Sequence, residues 1–348
     1  MKLVTFEVAT QLGPFERLGA VAAGADGEMI ADLHAACGAF LNKEGRPSSL
    51  AGALVPPEIL GFLASGQEGL EAASRSLSWA IEDSRSRPRS KPLKGPRGER
   101  ILYAPDEVRL LAPVPRPPAL RDFFAFEDHA LKGAARRNEP LPAAWYDQPV
   151  YYKGNHREIY GPDSVVPWPG YTKKLDFELE IACVVGKKGR NLSPEAAAEH
   201  IAGYAILNDF SARDVQKSEM ILRMGPAKGK DFGTALGPWL VTADELKNPD
   251  ALLMSAWVNG EKWSSGVSGG RRWSFPLMLS HVSQEETVYP GDILGSGTYA
   301  GGCGLDLDRW LKPGDAVELK VDGLGVLKNI VGAPKASIEL KYSNPVNA

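Results

Sequence analysis

The spacing of hydrophobic and polar residues divides the chain into two parts. Up to about residue 80, short strand-like runs such as KLVTFEV and RLGAVAAG alternate with helical runs, the longest of which is PPEILGFLASGQEGLEAASRSLSWAIEDS. From about residue 115, short runs rich in β-branched and aromatic residues dominate, among them DFELEIACVVG, GYAILNDF and AVELKVDGLGVLKNIV. Pro-Gly-Asp turns at 290–292 and 313–315 each introduce a further strand-like run. The pattern predicts a β-rich α+β domain that follows a smaller N-terminal α/β domain.

A basic, proline-rich segment separates the two parts. Residues 84–100, SRSRPRSKPLKGPRGER, contain almost no apolar residue and predict an exposed linker or loop. We therefore predict a small N-terminal domain over 1–110 and a larger domain over 115–345. Helical patterns in the larger domain are few, and they are found at 126–137, 193–201, after Asp209, and at 275–284.

Composition and charge narrow the classes of function. Of the 348 residues 43% are hydrophobic and 24% are charged, as is typical of a globular protein. A formal net charge of −3 and a lone basic run without interleaved aromatic residues argue against a nucleic-acid or membrane partner. The three cysteines are far apart and show no CxxC spacing, and the N-terminus has no long apolar run. These features predict a reduced, soluble, cytoplasmic protein.

Two glycine-rich motifs resemble catalytic loops but fail on their context. GVSGG at 266–270 matches a nucleophile elbow, yet the flanking segments do not read as strand and helix, and no acid lies between Ser268 and the only later histidine, His281. We interpret it as a mobile polar loop. GPAKGKDFG at 225–233 has the wrong spacing for a phosphate-binding loop. It can still bring Lys230 close to a ligand.

Acidic residues alternate along one strand-like run. In LDFELEIACVV, Asp176, Glu178 and Glu180 lie two residues apart and share one face of a half-buried strand. Asp209 ends the next apolar run, and SARD, 211–214, has the spacing of a capping box. Carboxylates without histidine or cysteine suit a hard ion such as Mg²⁺ or Ca²⁺. A solvated acidic edge and a plain helix cap at Asp209 remain alternative interpretations.

Four motifs, in this order and at these separations, carry a family resemblance: LDFELEIACVVG, GYAILNDFSARDVQ, GPAKGKDFGTALGPWLV and YPGDILGSGTYAGG. Residues 115–340 resemble the fumarylacetoacetate hydrolase family, and the first 110 residues resemble only loosely the small N-terminal domain of its longer members. The resemblance implies a catalytic domain built as a mixed β-sheet roll or sandwich.

The resemblance also implies a set of site residues. The implied metal ligands are Asp122, Glu178, Glu180, Asp209 and Thr234; the implied catalytic groups are His129, Asp306, Lys230 and Gln216; and the implied substrate contacts are Arg213, Tyr152, Thr298 and Arg137, with Arg136 as the alternative to Arg137. His129 matches the general base. Other members place a glutamate three residues after it, where this chain has Lys132, so Asp306 is expected to orient the imidazole. Phe124 replaces a tyrosine of the hydrolase, which predicts a different far end of the substrate.

The function implied by the resemblance is metal-dependent hydrolysis of a carbon–carbon bond in a 1,3-diketo acid, of fumarylacetoacetate or acylpyruvate type, in aromatic or amino-acid catabolism. Mg²⁺ is the expected cofactor, with Mn²⁺ or Ca²⁺ as alternatives, and a homodimer is expected. Decarboxylation, tautomerisation and hydration or dehydration of a 2-oxo acid share the same enolate chemistry and remain alternatives. A ligand-binding relative without turnover is the alternative outside catalysis.

Overall fold

The computed structural model of the protein describes residues 1–24, 27–88 and 91–336. Its strands, in chain order, are β1 Lys2–Thr10, β2 Gly13–Ala23, β3 Glu28–Asp32, β4 Leu102–Tyr103, β5 Arg109–Leu110, β6 Leu120–Phe123, β7 Tyr151–Lys153, β8 Ile159–Tyr160, β9 Val165–Trp168, β10 Leu175–Asp176, β11 Leu179–Val185, β12 Ile201–Asp209, β13 Ser211–Ala212, β14 Thr234–Thr242, β15 Leu253–Val258, β16 Glu261–Val267, β17 Ile293–Gly295, β18 Ala316–Val321 and β19 Gly325–Pro334. Its α-helices are α1 Leu33–Lys43, α2 Ala51–Leu54, α3 Ile59–Ala64, α4 Gly66–Ser86, α5 Glu127–Arg136, α6 Ala144–Asp147, α7 Pro194–Ala198, α8 Arg213–Ile221, α9 Phe275–Ser283 and α10 Gly304–Leu307.

One large mixed sheet positions the candidate site. Its strands follow the order β4-β3-β2-β1-β14-β12-β11-β17-β6-β7, with β5 and β8 paired to β1 and β14. Most neighbouring strands are antiparallel, whereas β17 and β6 run parallel. The prediction of a β-rich α+β fold is confirmed.

The central strands of this sheet are covered on both faces. In β11, Ile181 and Cys183 pack into the core beneath a second, five-stranded sheet of order β16-β15-β18-β19-β9, while Ala182 and Val184 pack against the helices of the N-terminal region. The prediction of one half-buried acidic strand over 175–185 is therefore wrong. The run is buried throughout and is interrupted between β10 and β11.

The N-terminal region joins the same large sheet. Strand β1 pairs antiparallel with β14, Leu3 lying opposite Leu240, and residues of α1, α3 and α4 pack with buried residues of β11, β12 and β14. The division into domains at 110–115 stays a prediction, and residues 337–345 of the predicted larger domain lie outside the described residues.

The basic segment and the predicted helices are found close to their expected positions. Residues 84–86 finish α4, and 91–100 are mostly exposed apart from Leu93; Arg89 and Ser90 lie outside the described residues. Helices α5, α7, α8 and α9 lie within or close to the predicted helical stretches. No helix in the described part of the chain is long and apolar enough to cross a membrane.

Candidate active site and metal centre

Six neighbouring strands of the large sheet each bring one residue to the same region. In the strand order β14-β12-β11-β17-β6-β7 these residues are Thr234, Asp209, Glu180, Gly295, Asp122 and Tyr152. The register places Asp209 opposite Thr234, and Asp122 opposite both Gly295 and Tyr152. Residues that are far apart in sequence become lateral neighbours because the strands carrying them are adjacent.

Three buried carboxylates form the centre of this region. Oxygen atoms of Asp122, Glu180 and Asp209 lie within 4.8 Å of one another, and each of these residues is at most 5% exposed. Burial, together with the neighbouring negative charges, raises the pKa of Asp122 and Glu180 well above the usual carboxylate range. Burial also raises the pKa of Asp209, although the charge of Lys230 opposes it.

The carboxylate cluster Asp122–Glu180–Asp209 fits a hard divalent cation. Glu180 Oε1 and Asp209 Oδ1 are buried and accept no hydrogen bond in the described structure. Buried oxygens without a partner carry a large desolvation cost, which a coordinated cation removes. An all-oxygen set of this kind suits Mg²⁺, Mn²⁺ or Ca²⁺.

Two glycines of the segment Gly295-Ser296-Gly297 allow the carboxylates of the cluster to lie close together. A Cβ at Gly295 would lie 2.2 Å from Asp122 Oδ1 and 3.2 Å from Glu180 Oε2. The backbone N–H of Gly297, whose φ is +73°, donates to Glu180 Oε2 at 3.0 Å and to Asp122 Oδ1 at 3.2 Å. The side chain missing at 295 thus lets the two carboxylates approach each other.

Lys230 joins the cluster to Glu178. Its buried ammonium group donates to Glu178 Oε2 and Asp209 Oδ2. Burial acts to raise the pKa of Glu178, but the positive charges of Arg213 and Lys230 hold it well below its usual range. Glu178 therefore lies beside the three-carboxylate cluster as an ionised, ion-paired group, and its role as a metal ligand stays a prediction.

Arg213 fixes the inner side of the site. Its guanidinium donates to Asp176 Oδ2 at 2.7 Å, to Glu178 Oε1 at 2.8 Å and to Gln216 Oε1 at 3.0 Å. Asp176 also accepts from the backbone N–H groups of Gly304 and Leu305, at 2.7 and 3.0 Å. Asp176 consequently anchors Arg213 and the start of α10, and it does not belong to the carboxylate cluster.

A histidine–aspartate pair, His129 and Asp306, lies next to the buried ion pairs of Arg213. His129, on α5, has its Nδ1 3.0 Å from Asp306 Oδ2, and Asp306 also accepts from the Gly301 N–H at 2.8 Å and from Arg136 at 2.7 Å. The contacts with His129 lower the pKa of Asp306 below its usual range, although burial of the carboxylate acts to raise it. The ring of Phe124 meets the imidazole edge-on, with centroids 5.5 Å apart. Asp306 is thus an ionised acceptor that fixes the orientation of the imidazole.

The other predicted site residues are divided between the cluster and its surroundings. The Tyr152 hydroxyl donates to Asp209 at 2.8 Å, and Thr298 is buried and donates to the Leu179 carbonyl at 3.1 Å. Arg137 is not brought to the site: it lies at the C-terminal end of α5 and pairs with Glu139 at 3.1 Å. The neighbouring Arg136 reaches Asp306 instead, because adjacent residues of a helix point in different directions.

Two interpretations of local motifs are wrong. Helix α8 begins at Arg213 without a side-chain cap, and Ser211 donates instead to the Asp209 carbonyl at 2.9 Å, so SARD is not a capping box. Ser268 is fully buried rather than part of a mobile polar loop. Its hydroxyl donates to the Pro249 carbonyl at 2.7 Å and accepts from the Leu252 N–H. Ser268 thus links the end of β16 to the segment 249–252.

Sequence reasoning missed several residues that shape the site. These are Gly295 and Gly297, which make room for and bind the carboxylates, and Cys303, whose sulfur lies within 4.8 Å of ligand atoms of His129 and Asp306. The glycines carry a signal in hindsight, because a Gly-x-Gly segment at the end of a buried strand indicates a close approach of backbone to another group. The choice between Arg136 and Arg137 has no such signal.

Comparison with known proteins gives concordant matches. Residues 119–332 match the family described as Fumarylacetoacetate (FAA) hydrolase, C-terminal. The chain is 30% identical over 284 residues to Oxaloacetate tautomerase YisK of Bacillus subtilis. This alignment covers 80% of this chain and 87% of the relative. It is 32% identical over 283 residues to the human mitochondrial Oxaloacetate tautomerase FAHD2A, with 80% of each chain covered. A fumarylacetoacetate hydrolase structure from Exiguobacterium antarcticum is 25% identical and superposes with a TM-score of 0.65, over 95% of this chain and 99% of the other.

Proposed function

Because the chain belongs to the fumarylacetoacetate hydrolase family, we propose that it is a metal-dependent enzyme that interconverts the enol and keto forms of a 2-oxo diacid of the oxaloacetate kind. The observation that carries the proposal is a buried three-carboxylate cluster beside a histidine that a buried aspartate orients. The two tautomerase relatives, each aligned over 80% of this chain, support the choice among reactions.

Enol–keto interconversion moves one proton between the enol oxygen and the second carbon of the enol double bond, which is the neighbour of the carbon that bears the oxygen. The contact with Asp306 is made by Nδ1 of His129, which assigns the ring proton to that nitrogen in the neutral imidazole and leaves Nε2 as an acceptor. His129 Nε2 then takes the proton from one atom of the substrate and returns it to the other. Asp306 stabilises the imidazolium that exists between the two transfers.

The site also has groups that match an anionic substrate. Arg213 and Lys230 are buried cations, paired with Glu178 and with Asp209 respectively, and they place positive charge beside the cluster. When bound at Asp122, Glu180 and Asp209, a divalent ion would supply a Lewis acid that stabilises negative charge on the substrate's enol oxygen. Tyr152 and Lys230 donate to Asp209 Oδ2, which fixes the position of this carboxylate and opposes the effect of burial on its pKa.

The direct test is an assay of enol oxaloacetate decay with product analysis by NMR. We expect magnesium-dependent acceleration of the enol-to-keto conversion without release of pyruvate or carbon dioxide, and loss of that acceleration in Glu180→Gln and His129→Gln. Ser268→Ala, which alters a buried hydroxyl remote from the cluster's hydrogen bonds, is the control. Pyruvate with carbon dioxide would instead identify a decarboxylase, and full activity after EDTA treatment would exclude the metal-dependent proposal.

A second candidate reaction is the hydrolysis of a carbon–carbon bond in a 1,3-diketo acid. The His129–Asp306 pair favours it, since an oriented imidazole can equally take a proton from water, and a fumarylacetoacetate hydrolase is among the structural neighbours. A panel of acylpyruvates and 2,4-diketo acids tests it: two carbon fragments from any of them would support hydrolysis, whereas unchanged substrates would reject it.

We further propose Mg²⁺ as the resident ion, with Mn²⁺ or Ca²⁺ as alternatives, and a homodimer in the cytoplasm acting in aromatic or amino-acid catabolism. Metal analysis of the purified protein and light scattering test the first two. Carboxylate oxygens alone do not separate these ions, so activity reconstituted with each ion in turn is the deciding measurement.

A further inference from the structure

Cys303 differs from the other two cysteines in what surrounds it. Cys37 and Cys183 are buried within clusters of packed apolar side chains. Cys303 is equally buried, yet in the described part of the chain it belongs to none of these clusters. Its sulfur lies instead among ionisable groups, within 4.8 Å of a ring nitrogen of His129 and a carboxylate oxygen of Asp306.

We propose that His129, Cys303 and Asp306 form a second metal site, separate from the carboxylate cluster, that binds a thiophilic ion of the zinc class. One sulfur, one imidazole nitrogen and one carboxylate oxygen are a donor set suited to zinc, whereas the all-oxygen cluster suits a harder ion. The two sites therefore differ in the chemistry of the ion that each prefers.

The geometry between His129 and Asp306 needs little adjustment. Zinc bond lengths of about 2.0–2.3 Å place neighbouring ligand atoms of a tetrahedral site roughly 3.3–3.6 Å apart. The Nδ1–Oδ2 distance of His129 and Asp306 is 3.0 Å, so the pair would open by a few tenths of an ångström. Cys303 is the N-cap residue of the short helix α10 and Asp306 lies in its first turn, and a backbone hydrogen bond of 3.2 Å from the Asp306 N–H to the Cys303 carbonyl keeps the two residues together.

The second site lies directly beside the first. The backbone of Cys303 forms a β-bridge with Glu178, the carboxylate that pairs with Lys230. His129 is 8% exposed whereas Cys303 is fully buried, so the imidazole is the more accessible of these two ligands. Burial raises the pKa of the Cys303 thiol, so the ion must displace the thiol proton to solvent as it binds. A bound ion would occupy the groups that orient or perform proton transfer, and it would therefore inhibit the enzyme; this inhibition, unlike the binding, rests on the proposed function.

Cadmium titration tests the binding, because a cadmium–thiolate bond gives ultraviolet charge-transfer absorbance. The protein is titrated with cadmium in saturating magnesium, so that the carboxylate cluster is occupied. We expect absorbance that saturates at one cadmium per chain in the wild type and in Cys183→Ala, and no such absorbance in Cys303→Ala. Absence of the signal in the wild type, its persistence in Cys303→Ala, or its suppression by magnesium would overturn the proposal.

A second variant keeps the test decisive if Cys303→Ala does not fold. His129→Gln retains the thiol and is expected to weaken cadmium and zinc binding at least about tenfold, because loss of a residue that merely supports a metal ligand already costs about 10–100-fold. Unchanged affinity would overturn the site. If one zinc ion per chain binds to the wild type but leaves enol–keto interconversion unaffected, the metal site stands and the proposed role of His129 fails.

Discussion

Gly295 lies opposite Asp122 in the parallel pair β17–β6, and the absence of a side chain at 295 leaves the space that the Asp122 carboxylate occupies. A Cβ there would be 2.2 Å from Asp122 Oδ1, which is closer than any ordinary contact. One missing methyl group therefore decides whether the carboxylate from β6 can meet the carboxylate from β11.

Gly295→Ala is expected to displace Asp122 and to weaken metal binding at least about tenfold, because the ligand can no longer approach its partners. The measurement is the rise in melting temperature as Mg²⁺ or Mn²⁺ is added. Gly52→Ala is the matched control, since a Cβ at Gly52 meets nothing within 4 Å. Wild-type metal affinity in Gly295→Ala would contradict the assignment of the cluster as the metal site.

The raised pKa values of Asp122 and Glu180 predict how the stability of the metal-free protein depends on pH. Between the ordinary carboxylate pKa of about 4 and the raised values, the folded state binds more protons than the unfolded state. The free energy of unfolding must then fall as the pH rises through this window. The lowered pKa of Asp306 acts in the opposite sense, but only at more acidic pH.

Melting temperatures in EDTA should accordingly decrease as the pH is raised above the ordinary carboxylate pKa of about 4, and saturating metal should remove most of that decrease because the ion binds the ionised carboxylates. Glu180→Gln, which cannot ionise, should show a flatter profile in EDTA. A metal-free melting temperature that rises over the same range would contradict the cluster's raised pKa values.

The pairing of Asp306 with His129 predicts a specific loss of turnover. Asp306→Asn removes the negative charge that stabilises the imidazolium and should lower kcat by about 100-fold, within the usual range for general acid–base catalysis, with a smaller change in KM. Asp308→Asn makes the same chemical change at an exposed position two residues away and serves as the control. A kcat equal to that of the control would remove Asp306 from the mechanism.

The ion pairs of Lys230 predict that replacing this lysine lowers the free energy of unfolding more in the metal-free protein than in the metal-bound protein. Lys230→Met leaves Glu178 and Asp209 without their shared cation, and loss of one partner of a buried ion pair costs about 3–5 kcal/mol of the free energy of unfolding. Chemical denaturation should show a large loss in EDTA and a smaller one with metal, whereas Lys228→Met, at an exposed neighbouring lysine, should have little effect. Equal stability of the two variants in EDTA would contradict this account.

Local sequence patterns predicted the individual strands and helices better than the way these elements pack against one another. The apolar run that ends at Asp209 and the helix that contains His129 are readable from spacing, and both are found in the structure. The burial of Asp176 and Glu178 is not readable, because it depends on a second sheet and on N-terminal helices that cover the two faces of the large sheet.

The candidate site shows the same division. The resemblance indicated Asp122, Glu180 and Asp209, and the strand order explains why they meet, but that order places β17 between β11 and β6 and cannot be deduced from the chain sequence. Likewise, Arg136 and Arg137 are equivalent in composition and pattern. Only the orientation of α5 relative to α10 decides that Arg136 contacts Asp306.

The pairing of β1 with β14 has a consequence for experiments on shortened chains. In a fragment that begins at residue 115, the backbone of β14 around Leu240 and Val241 would lose the strand that covers it. An uncovered strand edge recruits other chains, and it promotes aggregation or non-native association. Oligomeric states measured on such a fragment would report this artificial edge, so the assembly of the protein has to be measured on the whole chain.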